Sequence, residues 1–138
     1  MELRLFTDGA SRGNPGQASY GYLILDEKNQ VIHQEGKSLG IATNNFAEYS
    51  GVLSALSFVK EKIFSGESLD ILISADSKLV VEQLSGRFKI KSESLKPLIR
   101  EIKLLEQLLG RIKYIHIPRE KNKQADALAN KALDSLYP

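Results

Sequence analysis

The chain has 138 residues, a formal net charge of +2 and no cysteine. That length suits one domain with a real core, residues 1–138, and the 42% hydrophobic and 26% charged composition is globular rather than disordered. Disulfide frameworks and thiolate chemistry are excluded, which suits a reducing cytoplasm, and no stretch reads as a membrane span or a signal peptide.

Glu2 to Thr7 alternates and predicts a strand, which runs into "TDGASRGNPG", a glycine-rich loop opened by Asp8. Ser19 to Leu25 and Val31 to Leu39, separated by "DEKNQ", predict a hairpin. The period then changes. Phe46, Tyr49, Val52, Leu53, Leu56 and Val59 recur at three- and four-residue spacing, predicting an amphipathic helix with Glu48 in its first turn.

"LDILIS", Leu69 to Ser74, predicts a buried strand followed by a short helix over 77–85 that stops at Gly86. A longer helix starts near Ser94, with Pro97 in its first turn and Leu95, Leu98, Ile99, Ile102 and Leu105 on one face. "RIKYIHI" is a fifth strand, broken by Pro118. "NKQADALANKALDSL" is a last helix, with Ala125, Leu128, Ala129, Ala132 and Leu136 inward. Three strands before the first helix predict an antiparallel half, and the later strand–helix alternation a parallel half. The expected fold is one α/β domain on a mixed five-stranded sheet.

Four acids sit where these elements begin or end: Asp8, Glu48, Asp76 and Asp126. If the first and fourth strands are neighbours, Asp8 and Asp76 leave the sheet side by side, at the edge where ligands collect in open α/β sheets. Four close carboxylates repel, which makes sense around hard cations. Mg²⁺ takes oxygen ligands, and two such ions roughly 4 Å apart can drive phosphodiester hydrolysis. Each acid also has a local structural role open to it. Glu48 can close a capping box with Asn45, Asp76 can cap a helix, Asp126 can face a helix dipole, and Asp8 can form an Asx-turn into Gly9.

In that order, "TDGASRGNPG", "TNNFAEYSGVLSAL", "ADSKLVVEQLSG" and "KNKQADALANKAL" resemble the type 1 ribonucleases H over nearly the whole chain. The resemblance implies the ribonuclease H-like fold and metal-dependent cleavage of the RNA strand of RNA–DNA hybrids, leaving 3′-hydroxyl and 5′-phosphate ends. It implies Asp8, Glu48, Asp76 and Asp126 as ligands for two Mg²⁺ ions, with Mn²⁺ as a substitute. Backbone groups of Ser11, Arg12 and Gly13 would meet RNA, Asn14, Asn44 and Asn45 would supply side-chain hydrogen bonds, and Thr43 would help hold a DNA phosphate. A glycine loop would let backbone approach a hybrid's shallow minor groove. No obligate protein partner is implied, and double-stranded RNA is a further candidate substrate.

The chain departs from the family at three places. Many members carry a loop histidine before the last acid; here His116 falls in the fifth strand, and Arg119 is the better-placed helper. The long basic, tryptophan-containing protrusion of some relatives is replaced by "SGRFKIKSES", where Arg87, Lys89 and Lys91 alternate with Phe88 and Ile90 and are candidates for the DNA strand's phosphates. Lys78 stands where relatives often have a groove-reading amide. The alternatives are a non-catalytic hybrid-binding module and a DNA-cutting nuclease of the same fold.

Overall fold

A computed structural model describes residues 1–136. Five strands, β1 (Glu2–Gly13), β2 (Gly16–Leu25), β3 (Val31–Ala42), β4 (Leu69–Ala75) and β5 (Gly110–His116), form one sheet in the order β3-β2-β1-β4-β5. β1–β2 and β2–β3 pair antiparallel, β1–β4 and β4–β5 parallel. Helices α1 (Asn44–Lys62), α2 (Lys78–Leu84), α3 (Lys96–Leu109) and α4 (Lys123–Asp134) complete the fold, with one short 3₁₀ turn at Arg119–Lys121. The mixed sheet and element order are those read from the sequence.

The main core joins alternate residues of β1 (Leu3, Leu5), β2 (Tyr20, Tyr22, Ile24) and β4 (Ile71, Ile73) to Val52, Leu56 and Val59 of α1 and Ile99 and Ile102 of α3. Strand alternation and helical spacing meet here, because each element offers one apolar face. α4 lies against β2 and β3 at Gly21 and Gly36, where an added Cβ would come within 2.3 Å of Ala125 O and 2.2 Å of Leu128 O. Two glycines thus let the helix backbone sit directly on the sheet, seating Ala125 and Ala129, both fully buried.

Several local readings change. The glycine-rich loop after Asp8 is mostly strand: β1 continues to Gly13 and pairs with β2 up to Gly13↔Gly16. Gly9 is required by packing, since a Cβ there would lie 2.4 Å from Glu48 N. Asp8 is therefore a strand residue, not an Asx-turn. Thr43 caps α1, its Oγ1 accepting from Phe46 N at 3.1 Å, so Asn45 lies inside the helix and Glu48 beyond its first turn. Ser77 rather than Asp76 caps α2, its Oγ accepting from Val80 N. At the chain's end Leu133 is buried and Leu136 is 43% exposed, because α4 stops at Asp134 and no longer directs Leu136 inward.

Candidate metal centre and nucleic-acid interface

The last parallel pair of β1 and β4 is Thr7↔Ala75, so Asp8, still within β1, and Asp76, just past the end of β4, follow it side by side. α1 brings in the third acid. Its Glu48 Oε1 accepts from Gly9 N at 3.0 Å, a bond made possible by the bare glycine against the helix. One ligand atom from each of Asp8, Glu48 and Asp76 falls within 4.8 Å of the others. Asp126, in the first turn of α4, stands outside that group. Its carboxyl accepts from Asn130 Nδ2 at 3.2 Å and lies near enough to Asp8 to raise its pKa.

Burial and like charge set the electrostatics. Asp8 is 4% exposed and Glu48 8%. Burial, then the charges of Glu48 and Asp76, push Asp8 far above the usual carboxylate range. Burial also raises Glu48, while the Asp8 carboxyl, the Gly9 N–H and the Arg119 guanidinium pull the other way. Glu48 Oε2 is buried with no hydrogen-bond partner. Converging carboxylates with an unpartnered inner oxygen are a donor set fitted to a hard divalent cation, which neutralises the repulsion.

These acids border a hollow of about 330 Å³ that is also lined by Gly9, Asn44, Asn45, Ser77 and Arg119. Arg119, on the 3₁₀ turn before α4, therefore faces the acids. His116 ends β5 with Nε2 3.2 Å from the Asp76 carbonyl oxygen. A second hollow, of about 650 Å³, contains Arg87, Lys89 and Lys91 and meets the first at Asn45. Residues 87–91 form no strand: Ile90 packs on the core, while Phe88 is 46% exposed, so only one of the two alternating apolar residues turns inward. Arg87 pairs with Glu82 at 2.6 Å.

The remaining positions gather at the β1–β2 hairpin. Asn14 Oδ1 accepts from Asn44 N at 3.0 Å, and Ser11 Oγ donates to Ala42 O at 3.2 Å, tying the hairpin tip to the entry of α1 and Thr43. Arg12 pairs with Asp134 at the end of α4, and Gly13 has φ +98° at the turn. Lys78 is exposed at the start of α2.

One residue escaped the sequence reading. Asn122, 1% exposed just before α4, donates through Nδ2 to Thr7 O at 2.8 Å and to Asp76 Oδ2 at 3.3 Å. It ties together Thr7 of β1, Asp76 after β4 and the start of α4, the mounts of three acids. Its position four residues before Asp126 was the available signal. An asparagine before a helix reads first as a cap, yet here its side chain makes no capping bond.

A five-stranded mixed sheet with carboxylates gathered where its first and fourth strands stop pairing defines the ribonuclease H-like class of fold. Residues 6–132 match the family model described as reverse transcriptase-like. The chain is 40% identical over 136 residues to a bifunctional protein of Mycobacterium tuberculosis, covering 98% of this chain and 36% of that one. It is 37% identical over 134 residues to ribonuclease HI of Halobacterium salinarum, covering 96% and 64%. The chain thus spans about a third of the length of the first relative and just under two thirds of the second. The crystal structure of the Halobacterium salinarum RNase H1 superimposes with a TM-score of 0.90 at 35% identity, covering 98% of this chain and 99% of that one. LC11-RNase H1, solved in complex with an RNA/DNA hybrid, does so with a TM-score of 0.89 at 34% identity, covering 99% of both. This chain belongs to the type 1 ribonuclease H family, which is metal-dependent. Among the described residues no helix is long and apolar enough to cross a membrane.

Proposed function

We propose that this chain is an endoribonuclease of the cytoplasm that hydrolyses the RNA strand of RNA–DNA hybrids, residues 1–138 acting as one catalytic domain. The observation that carries the reading is the meeting of Asp8, Glu48 and Asp76 within 4.8 Å where β1 and β4 stop pairing. The LC11 relative, solved with a hybrid, supports the substrate class.

Asp8 and Asp76 would serve two cation sites, Glu48 would complete one and Asp126 the other. Mg²⁺ ions, or Mn²⁺ in their place, would supply an activated water and charge stabilisation at the leaving oxygen. Glu48, held by the Gly9 N–H, keeps its second oxygen free to orient the attacking water beside the RNA 2′-hydroxyl. Addition of water at phosphorus and rupture of the P–O3′ bond leave a 3′-hydroxyl and a 5′-phosphate. Arg119 brings positive charge to the rim of the acid hollow, where the phosphate and the departing product pass. Ser11, Arg12, Gly13, Asn14, Asn44 and Asn45 would read the RNA side, and Thr43, Lys78, Arg87, Lys89 and Lys91 the phosphates.

The test is a strand-labelled hybrid incubated with Mg²⁺, with Mn²⁺ and with chelator, beside Asp8→Asn. Cuts confined to the RNA strand, dependent on metal and absent in the mutant, are expected. Hybrid binding without cleavage under either ion overturns the catalytic reading. A double-stranded RNA arm measures the breadth of the substrate class.

A further inference from the structure

The basic segment between α2 and α3 has few attachments, and one of them is a buried amide. Gln83, in the last turn of α2, is 9% exposed. Tyr49 Oη donates to Gln83 Oε1, and Gln83 Nε2 donates to Lys89 O at 3.2 Å. Tyr49 is fully buried and follows Glu48 directly on α1; Asn45 lies one turn before it. A single side chain thus spans from the helix that carries an active-site acid to the backbone of the basic segment.

The other restraints on that segment sit at its ends. Arg87 N and Phe88 N donate to Glu82 O at 2.9 and 3.2 Å, and the bonds from Ser92 onward are local. Between Phe88 and Ser92, among the described residues, the Gln83 bond is the one hydrogen bond to the rest of the protein, with Ile90 adding apolar packing. A leucine or methionine would fill the same volume without needing partners, so a buried amide at 83 costs desolvation that its two bonds must offset. What those bonds supply is location. They hold the Lys89 backbone to α2 and, through Tyr49, to α1, where Arg87, Lys89 and Lys91 border the hollow that meets the acid centre at Asn45.

We propose that Gln83 is a positioning residue for substrate: through Tyr49 and the Lys89 carbonyl it fixes the basic segment beside α1 and so sets affinity for the hybrid's phosphates. The proposal rests on the hybrid-cleaving reading. It places the effect of Gln83 on binding and not on the cleavage step.

The experiment compares wild type, Gln83→Met and Tyr49→Phe by steady-state cleavage, and by hybrid binding in chelator at several salt concentrations. Gln83→Met is expected to raise KM and Kd about tenfold with at most a twofold change in kcat, and to flatten the salt dependence of binding. Tyr49→Phe, which leaves Gln83 in place without its anchor, should move Kd in the same direction by about threefold. It decides the matter should Gln83→Met not fold. Lys89→Ala and Lys91→Ala should cost less in the Gln83→Met background than in wild type, a coupling that mere loss of stability would not produce. Unchanged Kd and salt slope in a folded variant, or a loss confined to kcat, overturns the proposal. A wild type that binds hybrid but never cuts it sinks the catalytic reading while the Kd comparison still decides the role of Gln83. A wild type that does not bind hybrid overturns both.

Discussion

The acid centre and the basic segment lie side by side yet are held in opposite ways. Asp8 and Asp76 follow the last parallel pair of the neighbouring strands β1 and β4, Glu48 is bonded to Gly9, and Asn122 ties Thr7 of β1 and Asp76 to the start of α4. The basic segment has no regular structure, exposes Arg87, Lys89 and Lys91, and hangs from Glu82, Gln83 and the packing of Ile90. The difference follows from what each has to do. A misplacement of about 1 Å can cost a catalytic step roughly 10²-fold, which ligands on rigid elements avoid. Long-range attraction to a polyanion falls off gently with distance, so phosphate-binding lysines tolerate a loosely tethered loop.

Removing an acid should break that contrast most completely. Asp8→Asn is expected to lower kcat by about 10³-fold or more while Kd for hybrid stays within about threefold. Single-turnover cleavage and binding in chelator separate the two. A variant that cuts at the wild-type rate would remove Asp8 from the site.

Next comes the mount rather than the ligand. Gly9→Ala places a Cβ against Glu48 N and the Ala47 carbonyl carbon, so α1 must move. A loss of about 3 kcal/mol in stability is expected by denaturant midpoint, with a fall in kcat beyond what the unfolded fraction explains. Asn122→Ala should act more gently. It leaves Thr7 O and Asp76 Oδ2 without their shared donor. About 2 kcal/mol of stability and roughly tenfold in kcat are expected, with KM little changed.

The stability of the metal-free protein sharpens the comparison from another side. Asp8 and Glu48 are raised above their ordinary values of 3.8 and 4.5, burial being the first cause in both. Well below pH 3.8 folded and unfolded chains are both protonated there and nothing is lost. As pH rises above those ordinary values, the unfolded chain ionises freely while the folded one resists, so stability falls. Thermal melts in chelator should drop by roughly 5 °C between about pH 5 and pH 8. Mg²⁺ should restore the loss, and Asp8→Asn should raise and flatten the profile. A metal-free profile as flat as the mutant's would mean that neither burial nor the neighbouring charges raise Asp8.

The smallest effect belongs to the loose region. Lys91→Ala should raise KM about threefold and lower the salt slope of binding by about 1, leaving melting unchanged. A fall in kcat instead would place Lys91 nearer the chemistry than its tether suggests.

The sequence by itself determined the sheet's mixed character, the order of elements and the candidacy of Asp8, Glu48 and Asp76. Alternation and helical period report which face of each element is apolar, and that pattern is local. Only the tertiary structure decided which local reading held. Asp76 and Asn45 are placed as helix caps by neighbouring residues alone; Ser77 and Thr43 do the capping because the chain's path into α2 and α1 turns their hydroxyls to the free N–H groups. Gly9 reads as loop chemistry until the α1 backbone arrives against it. The bonds of Asn122 and Gln83 and the junction of the two hollows at Asn45 follow from no local pattern, since the bonds reach partners between 6 and 115 residues away. Burial turns those distant contacts into strict requirements, because a buried polar group without its partner costs more than the bond itself is worth.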